Sequence, residues 1–331
     1  MKNNRLIVID YLRGLAMIIM ILTHSLVPYF GLKNIFLFWD LIHFAVPIFV
    51  FCAGYLFFAK TLEIKDFNSW LYIKKRIVRV FFPFFIFFLV YLLILFITQS
   101  KNLNLIFIYK SLSLTGGIDI NWLVLLFIQF AFLFPFLRYL IIKKSFLTPI
   151  YYLLSTISAL YILFPNYQLL TTHYKLFMFL PWSLIIIYSY FFYKHKDNKK
   201  IIYSAIISGT IIFIISYLIK SFYSSSLGLF ANKYPPNLYY LSYGFTIMNI
   251  LYLFFSKITN HQSLITDHCI LFISANSYSL FFIHYLVIYL LRYFGISKSI
   301  HWSLFFLTVT LISLLIQFLF NQLKKLSASM Y

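Results

Sequence analysis

Charged side chains are scarce in this 331-residue sequence. They make up 10% of it, and only seven are Asp or Glu. Soluble domains are about 25% charged and about 45–50% apolar, whereas 63% of this chain is hydrophobic. That balance excludes a soluble globular protein and predicts a polytopic membrane protein. Cysteine is rarer still, with two residues. Cys52 and Cys269 lie in or beside apolar runs without metal-ligand spacing, so we expect neither a disulfide nor a metal site.

Several motifs that identify known classes of enzyme or cofactor-binding protein are also absent. The sequence has no Ser-His-Asp order, no phosphate-binding glycine loop, no dinucleotide fingerprint and no cluster of metal ligands. The 27 Lys and Arg residues give a net charge of +20. Most of them fall in short connections between apolar segments or at segment ends, and they form no single basic face. This argues against nucleic acid as a partner and for a lipid bilayer, whose cytoplasmic side attracts basic loops.

Ten apolar segments predict ten transmembrane helices. Their limits are roughly residues 6–29, 36–59, 77–98, 122–142, 146–164, 175–193, 201–220, 238–257, 269–291 and 301–321. Alternate connections are the more basic ones, and the positive-inside rule then places both termini in the cytoplasm. The connections Gln99–Asn121 and Ser221–Asn237 are accordingly predicted outside. The predicted fold is all-α, with one transmembrane domain over residues 1–331.

The first segment contains three ionisable residues, Asp10, Arg13 and His24. Such side chains are costly in hydrocarbon, so they normally face the protein interior and mark a functional path. Arg13 and His24 are eleven residues apart, which returns to within about 20° of the same helix face, ~16 Å further along the axis. Asp10 precedes Arg13 by one turn and is predicted to pair with it.

Two further groups of residues are candidates for a site. Arg76 and Arg79 share a helix face at the predicted cytoplasmic end of the third segment, where guanidinium groups bind phosphates or carboxylates. The alternative is that they only reach toward lipid phosphates. His43 and His284 are predicted at the depth of His24, toward the outer half. The alternative for each is a hydrogen-bonded core histidine.

This arrangement fits a group transfer from a phosphate-bearing donor to a hydroxyl acceptor, because an imidazole can accept the hydroxyl proton. The residues by themselves establish only a membrane protein that carries a cation and an imidazole on one helix face. They do not establish the group transfer.

Motifs along most of the chain resemble those of the bacterial membrane-bound acyltransferase-3 family. The first is Arg-x10-His, here Arg13 and His24. The others are VPIFVFCAGYLFF, the Arg-x-x-Arg of Arg76 and Arg79, the tryptophan entry GGIDINWLVLLF with Trp122, and NSYSLFFIHYLVI with Ser277, Tyr278 and His284. The chain departs from the family pattern at Ala53, Leu123 and Phe281, which bears on the subfamily more than on the hallmark residues.

The resemblance implies an O-acyltransferase of the bacterial cytoplasmic membrane. It would transfer an acyl group, usually acetyl, from cytoplasmic acyl-CoA to a hydroxyl of a cell-envelope glycan or lipid-linked sugar. His24 would be the base, and Arg13, Arg76 and Arg79 would hold the donor. Acetyl-CoA would be a co-substrate, with no permanently bound cofactor and no metal. Two alternatives stay open: a transporter or flippase for a glycan precursor whose pathway these polar residues line, and a membrane sensor or scaffold.

Overall fold

The computed structural model describes residues 2–100, 103–164, 174–196, 198–258 and 264–329, and every regular element within these ranges is helical. The first eight helices are α1 Lys2–Leu26, α2 Ile35–Leu41, α3 Ala45–Thr61, α4 Ser69–Ile97, α5 Leu105–Leu112, α6 Asn121–Ile142, α7 Leu147–Tyr161 and α8 Tyr174–Phe177. The remaining helices are α9 Phe179–His195, α10 Lys199–Phe222, α11 Leu238–Ile258, α12 Leu264–Ala275, α13 Ser277–Tyr293, α14 Ile296–Ser299 and α15 Trp302–Ser329.

The predicted all-α membrane architecture is confirmed. Within the described ranges, eight helical segments are long and apolar enough to span a bilayer, and a bent pair supplies up to one more. The predicted segment 146–164 corresponds to α7, whose 15 residues extend only about 22 Å against a hydrocarbon core of ~30 Å. Residues 165–173 lie outside the described part of the chain. The count of ten therefore stays a prediction, as does the cytoplasmic location of the termini.

Two predicted segments are interrupted. Segment 36–59 is divided between α2 and α3, and His43 lies in the interruption. Segment 269–291 was expected to be one helix but is divided between α12 and α13, which meet at 86° around Asn276. Hydropathy does not detect such breaks, because both arms are equally apolar and a few polar residues decide where the backbone turns.

The chain forms two compact units, Met1–Val46 with Leu251–Tyr331, and Pro47–Ile250. In the first unit, α1 packs against α12, α13 and α15. In the second unit, α6 packs against α4, α7 and α9. The Arg-x10-His helix therefore has the two arms of the bent pair and the last helix as its neighbours.

Contacts inside the second unit agree with the alternation of charged connections. Arg138 Nε, near the end of α6, donates to the carbonyl of Thr61, the last residue of α3, at 3.0 Å. The charge pattern assigns these two helix ends to the same side. The Lys175 ammonium donates to the Thr115 carbonyl, which joins two connections assigned to the other side. The structure thus supports the grouping of the loops, and the positive-inside rule alone says which group is cytoplasmic.

Gly14 allows α1 and α12 to approach closely. A Cβ built on Gly14 would lie 2.9 Å from Ile270 Cγ2 and 2.9 Å from the Ile270 carbonyl oxygen. The side chain can rotate, but the carbonyl oxygen belongs to the backbone of α12. A larger residue at this position therefore has to push the two helices apart.

We expect Gly14→Ala to destabilise the protein by about 1–2 kcal/mol. Overpacking costs ~1–3 kcal/mol, and the better helix propensity of alanine offsets at most about 1 kcal/mol. Thermal unfolding in detergent measures the effect. Gly31→Ala is the matched control in the same unit, because no atom lies within 4 Å of its built Cβ. A Gly14→Ala protein that melts at or above the wild-type temperature would contradict the close-contact argument.

Candidate active site on the first helix

Arg13 and His24 lie on one continuous helix, α1. Their eleven-residue spacing is thus realised as three helical turns, and both side chains are half-buried. The segment stays helical because long unbranched and aliphatic residues dominate it and no proline occurs before Pro28. This rigid element sets the distance between the guanidinium and the imidazole.

The Arg13 side chain is held by two partners. Its Nη2 donates to Asp10 Oδ1 at 2.9 Å, which is the pairing predicted from the sequence. Its Nε donates to Ser274 Oγ at 2.9 Å, and this hydroxyl in turn donates to Asp10 Oδ1 at 2.8 Å. The three groups close a triangle. Because the Arg13 side chain is 25% exposed and Nη1 has no hydrogen bond within the described chain, the guanidinium keeps donors for a ligand.

Ser274 lies near the end of α12, immediately before the 86° break. A network of amides connects this break to the last helix. Gln317 Nε2 donates to Asn276 Oδ1 at 3.2 Å, and Asn321 Nδ2 donates to the same oxygen at 3.1 Å. Ser279 Oγ donates to Gln317 Oε1 at 2.5 Å. Such a partly buried network of hydrogen bonds fixes the angle between the arms, and with it the position of the Ser274 hydroxyl at Arg13.

The second arm of the break carries His284 to His24. The two imidazole rings have centroids 5.1 Å apart and are inclined by 55°. The Tyr285 ring also lies near His24, with its centroid 6.3 Å from that of the imidazole. The sequence placed His284 only at a depth similar to that of His24, and the structure shows that the two rings are neighbours.

His284 is completely buried, and its tautomer follows from its contacts. Nδ1 lies 2.9 Å from the carbonyl oxygen of Leu280, one turn earlier on α13. A carbonyl only accepts, so Nδ1 carries the proton and neutral His284 has its lone pair on Nε2. Nε2 is buried and has no hydrogen-bond partner among the described residues. A fixed, unused acceptor thus lies beside the His24 ring.

Comparison with known protein families agrees with this geometry. The model of a family described as an acyltransferase domain matches residues 6–321, nearly the whole chain. The chain belongs to the acyltransferase-3 family. No curated protein and no solved structure matches it. Membership identifies the protein as a membrane acyltransferase, and it leaves the acyl group, donor, acceptor and base to be inferred.

Two of the remaining candidates in the first unit, His43 and Tyr278, have local contacts. His43 Nδ1 lies 2.8 Å from the Trp39 carbonyl oxygen, and its ring packs on the Trp39 indole at 4.3 Å. This hydrogen bond caps the backbone at the interruption between α2 and α3. Ser277 begins α13, and the Tyr278 ring packs on Phe282 of the same helix at 5.1 Å. The serine in contact with Arg13 is Ser274 rather than Ser277.

Sequence reasoning missed Ser274, Asn276 and Gln317. Ser274 is 261 residues from Arg13 along the chain, and no local pattern reports such a contact. A weaker signal was available for the other two. Polar amides within apolar spans are costly unless they are paired, so Asn276 and Gln317 indicate a hydrogen-bond network without identifying its partners.

Arg76 and Arg79 lie on α4 in the second unit, on one face as their i, i+3 spacing predicts. Arg79 is exposed, and Arg76 is half-buried. The Arg76 Nε is itself buried and has no hydrogen-bond partner within the described ranges. Arg138 of the same unit differs, because two backbone carbonyls, those of Thr61 and Ile64, already occupy its donors. Arg76 is therefore the better candidate for binding an anion.

Proposed function

We propose that this acyltransferase-3 protein is an O-acyltransferase of the bacterial cytoplasmic membrane. It transfers an acyl group, acetyl in the first instance, from acyl-CoA to a hydroxyl of a cell-envelope glycan or lipid-linked sugar. The observation that carries the proposal is the pairing of His24 with the buried His284, on the same helix that presents Arg13. This gives an imidazole base next to a fixed proton acceptor, in a chain whose family transfers acyl groups.

His24 acts as the general base. It accepts the proton of the acceptor hydroxyl while the hydroxyl oxygen attacks the thioester carbonyl carbon. The C–O bond forms, the C–S bond breaks, and the departing thiolate takes the proton from the imidazolium. The products are an ester and free CoA. An imidazole suits both proton transfers because its ordinary pKa is about 6.5, close to neutral pH.

His284 acts as a positioning residue for His24. Its Nδ1 proton is committed to the Leu280 carbonyl, so Nε2 presents a lone pair in the wall beside the His24 ring. A lone pair there favours one orientation of the His24 ring and stabilises the positive charge that develops during proton transfer. A reaction site within the membrane would also exclude water, which protects a thioester near an activated base from hydrolysis.

Arg76 and Arg79 bind the phosphate groups of acyl-CoA. Arg76→Ala is expected to weaken CoA binding roughly tenfold or more, the effect of losing one hydrogen bond to a charged group. Isothermal titration of the purified protein with CoA measures this. Lys75→Ala is the matched control, because it removes the same charge from an exposed neighbouring position on α4. Equal losses in both variants would reduce the role of Arg76 to general electrostatic attraction.

The reaction itself is tested with purified protein in detergent, radiolabelled acetyl-CoA and an extract of cell-envelope glycans. We expect label in the glycan fraction that mild alkali releases, since the product is an ester. An amide would retain the label and would change the acceptor from a hydroxyl to an amine. No transfer from acetyl-CoA or from longer acyl-CoA donors, by a protein that binds CoA, would overturn the proposal. It would favour transport, which a detergent solution cannot show because transport is measured between two compartments.

A further inference from the structure

Lys233 lies in the connection between α10 and α11 and is only 6% exposed. Its Nζ is 5.0 Å from the centroid of the Trp122 ring and 5.0 Å from that of the Tyr234 ring. The two rings meet nearly edge to face, with centroids 4.7 Å apart. We call Lys233, Trp122 and Tyr234 the Lys233 cluster. All three residues belong to the second unit.

The ammonium of the Lys233 cluster lacks the acceptors that a buried cation needs. An ammonium has three N–H donors, yet Nζ makes no hydrogen bond or ion pair within the described chain, and the two rings are its only partners there. Burial lowers the pKa of Lys233 to about 7, the direction expected for an ammonium without a carboxylate beside it. Contact with ring faces offsets part of this burial cost and leaves all three donors unused.

The connection that holds Lys233 is preformed. Asn232 Nδ2 donates to the carbonyl oxygens of Ser226 at 2.9 Å and Gly228 at 2.7 Å. Asn237 Nδ2 donates to Asn232 Oδ1 at 2.6 Å, and both asparagines are buried. These hydrogen bonds hold the backbone of the loop on both sides of Lys233. The buried position of the lysine therefore belongs to the ordered structure of the loop.

The position of Trp122 is fixed by the residue before it. The preceding residue, Asn121, begins α6, and its Nδ2 donates to the carbonyl oxygens of Ser111 at 3.1 Å and Gly116 at 2.7 Å. The cluster therefore links the connection 221–237 to the first turn of α6, directly after the connection 99–121. The charge pattern assigns both connections to the same, outer side. A glycan acceptor is expected on that side.

We propose that the Lys233 cluster is a binding subsite for an oxyanion, the carboxylate or phosphate group of an acidic acceptor. Lys233 donates to the anionic oxygens, and the Trp122 and Tyr234 rings supply apolar faces for the attached sugar. The subsite deepens the proposed function and rests on it for the identity of the acceptor, which becomes an anionic glycan or a phosphate-linked one. Binding of the anion is independent of acyl transfer and is tested without any acyl donor.

The test is a titration of the purified full-length protein, followed by tryptophan fluorescence. Glucuronate probes the carboxylate source and inorganic phosphate the phosphate source, with sodium chloride at equal ionic strength as the control. We expect a saturable change with at least one of the two probes and none with chloride. The change should be absent in Trp122→Phe, which assigns the signal to Trp122 among the five tryptophans.

Lys233→Met keeps the length of the side chain and removes its charge. We expect this variant to fold at least as well as wild type and to bind the effective probe at least about tenfold more weakly, the effect of losing one charged hydrogen-bond partner. Lys110→Met, at an exposed lysine, is the control for the change in net charge. Saturation by glucuronate alone assigns an acidic sugar, and saturation by phosphate alone assigns a phosphate-linked acceptor.

Two results would overturn the subsite. One is a wild-type protein in which neither probe saturates, which would make the cluster a structural cation–π contact. The other is a Lys233→Met protein that binds the probe as tightly as wild type. Should Lys233→Met fail to fold, the wild-type titration still decides the first point and Lys233→Gln replaces it for the second. Acyl transfer without anion binding would refute the subsite alone, and anion binding without transfer would refute only the proposed function.

Discussion

Replacing His24 with alanine is expected to lower the rate of acyl transfer by about 10²–10⁴-fold, the usual contribution of a general base. The dissociation constant for acyl-CoA should stay within about twofold of the wild-type value, because an imidazole that acts on the acceptor proton contributes mainly in the transition state. Single-turnover transfer of labelled acetyl groups gives the rate, and titration with CoA gives the affinity. Loss of both in parallel would indicate a folding defect instead.

His284 and His301 supply the comparisons for this experiment. His284→Asn keeps a polar side chain at the buried position but removes the imidazole lone pair beside His24. We expect it to lower the rate by a smaller factor and to shift the pH profile of the remaining activity. His301→Ala removes an exposed histidine that contacts Ser303. This variant should change neither the rate nor the pH profile. Full activity in His24→Ala would exclude His24 as the base.

The sequence was sufficient for those parts of the site that depend on one helix. The spacing of Arg13 and His24 and the pairing of Asp10 with Arg13 both follow from 3.6 residues per turn, and both are present. The sequence also placed His284 at the level of His24, because helices that cross a bilayer bring residues of equal depth to one level. Depth alone did not decide whether His43 or His284 lies beside His24. Local periodicity and membrane depth are readable without a tertiary structure.

Parts that depend on breaks and distant contacts were not predictable in the same way. The 86° turn at Asn276 places Ser274 on one arm and His284 on the other, so the two arms supply separate partners to α1. A hydropathy window averages over such a turn. The Lys233 cluster also joins residues more than a hundred positions apart, and a lysine in a loop is ordinarily solvated. Its burial appears only once the loop is folded onto Trp122.

Arg13→Gln is expected to abolish most of the activity and also to destabilise the protein, for two separable reasons. Activity should fall about 10²-fold or more if the guanidinium stabilises charge at the reacting group. Stability should fall by roughly 1–3 kcal/mol, because the Asp10 carboxylate keeps Ser274 but loses its cationic partner in a partly buried place. The estimate is below that for fully buried pairs since both side chains retain some exposure. Thermal unfolding and the transfer assay measure the two effects.

The double variant Asp10→Asn/Arg13→Gln separates these effects. It removes both charges and leaves two neutral amides that can still hydrogen-bond to Ser274, so we expect unfolding close to that of wild type. If Arg13 acts on the donor or the reacting group, activity stays as low as in the single variant, because no cation has returned. If Arg13 only holds α1 against α12, activity recovers together with stability. Arg13→Lys restores the charge but not the planar guanidinium that reaches Asp10 and Ser274 simultaneously. Activity in this variant would show that the charge at position 13 matters more than the geometry of the triangle.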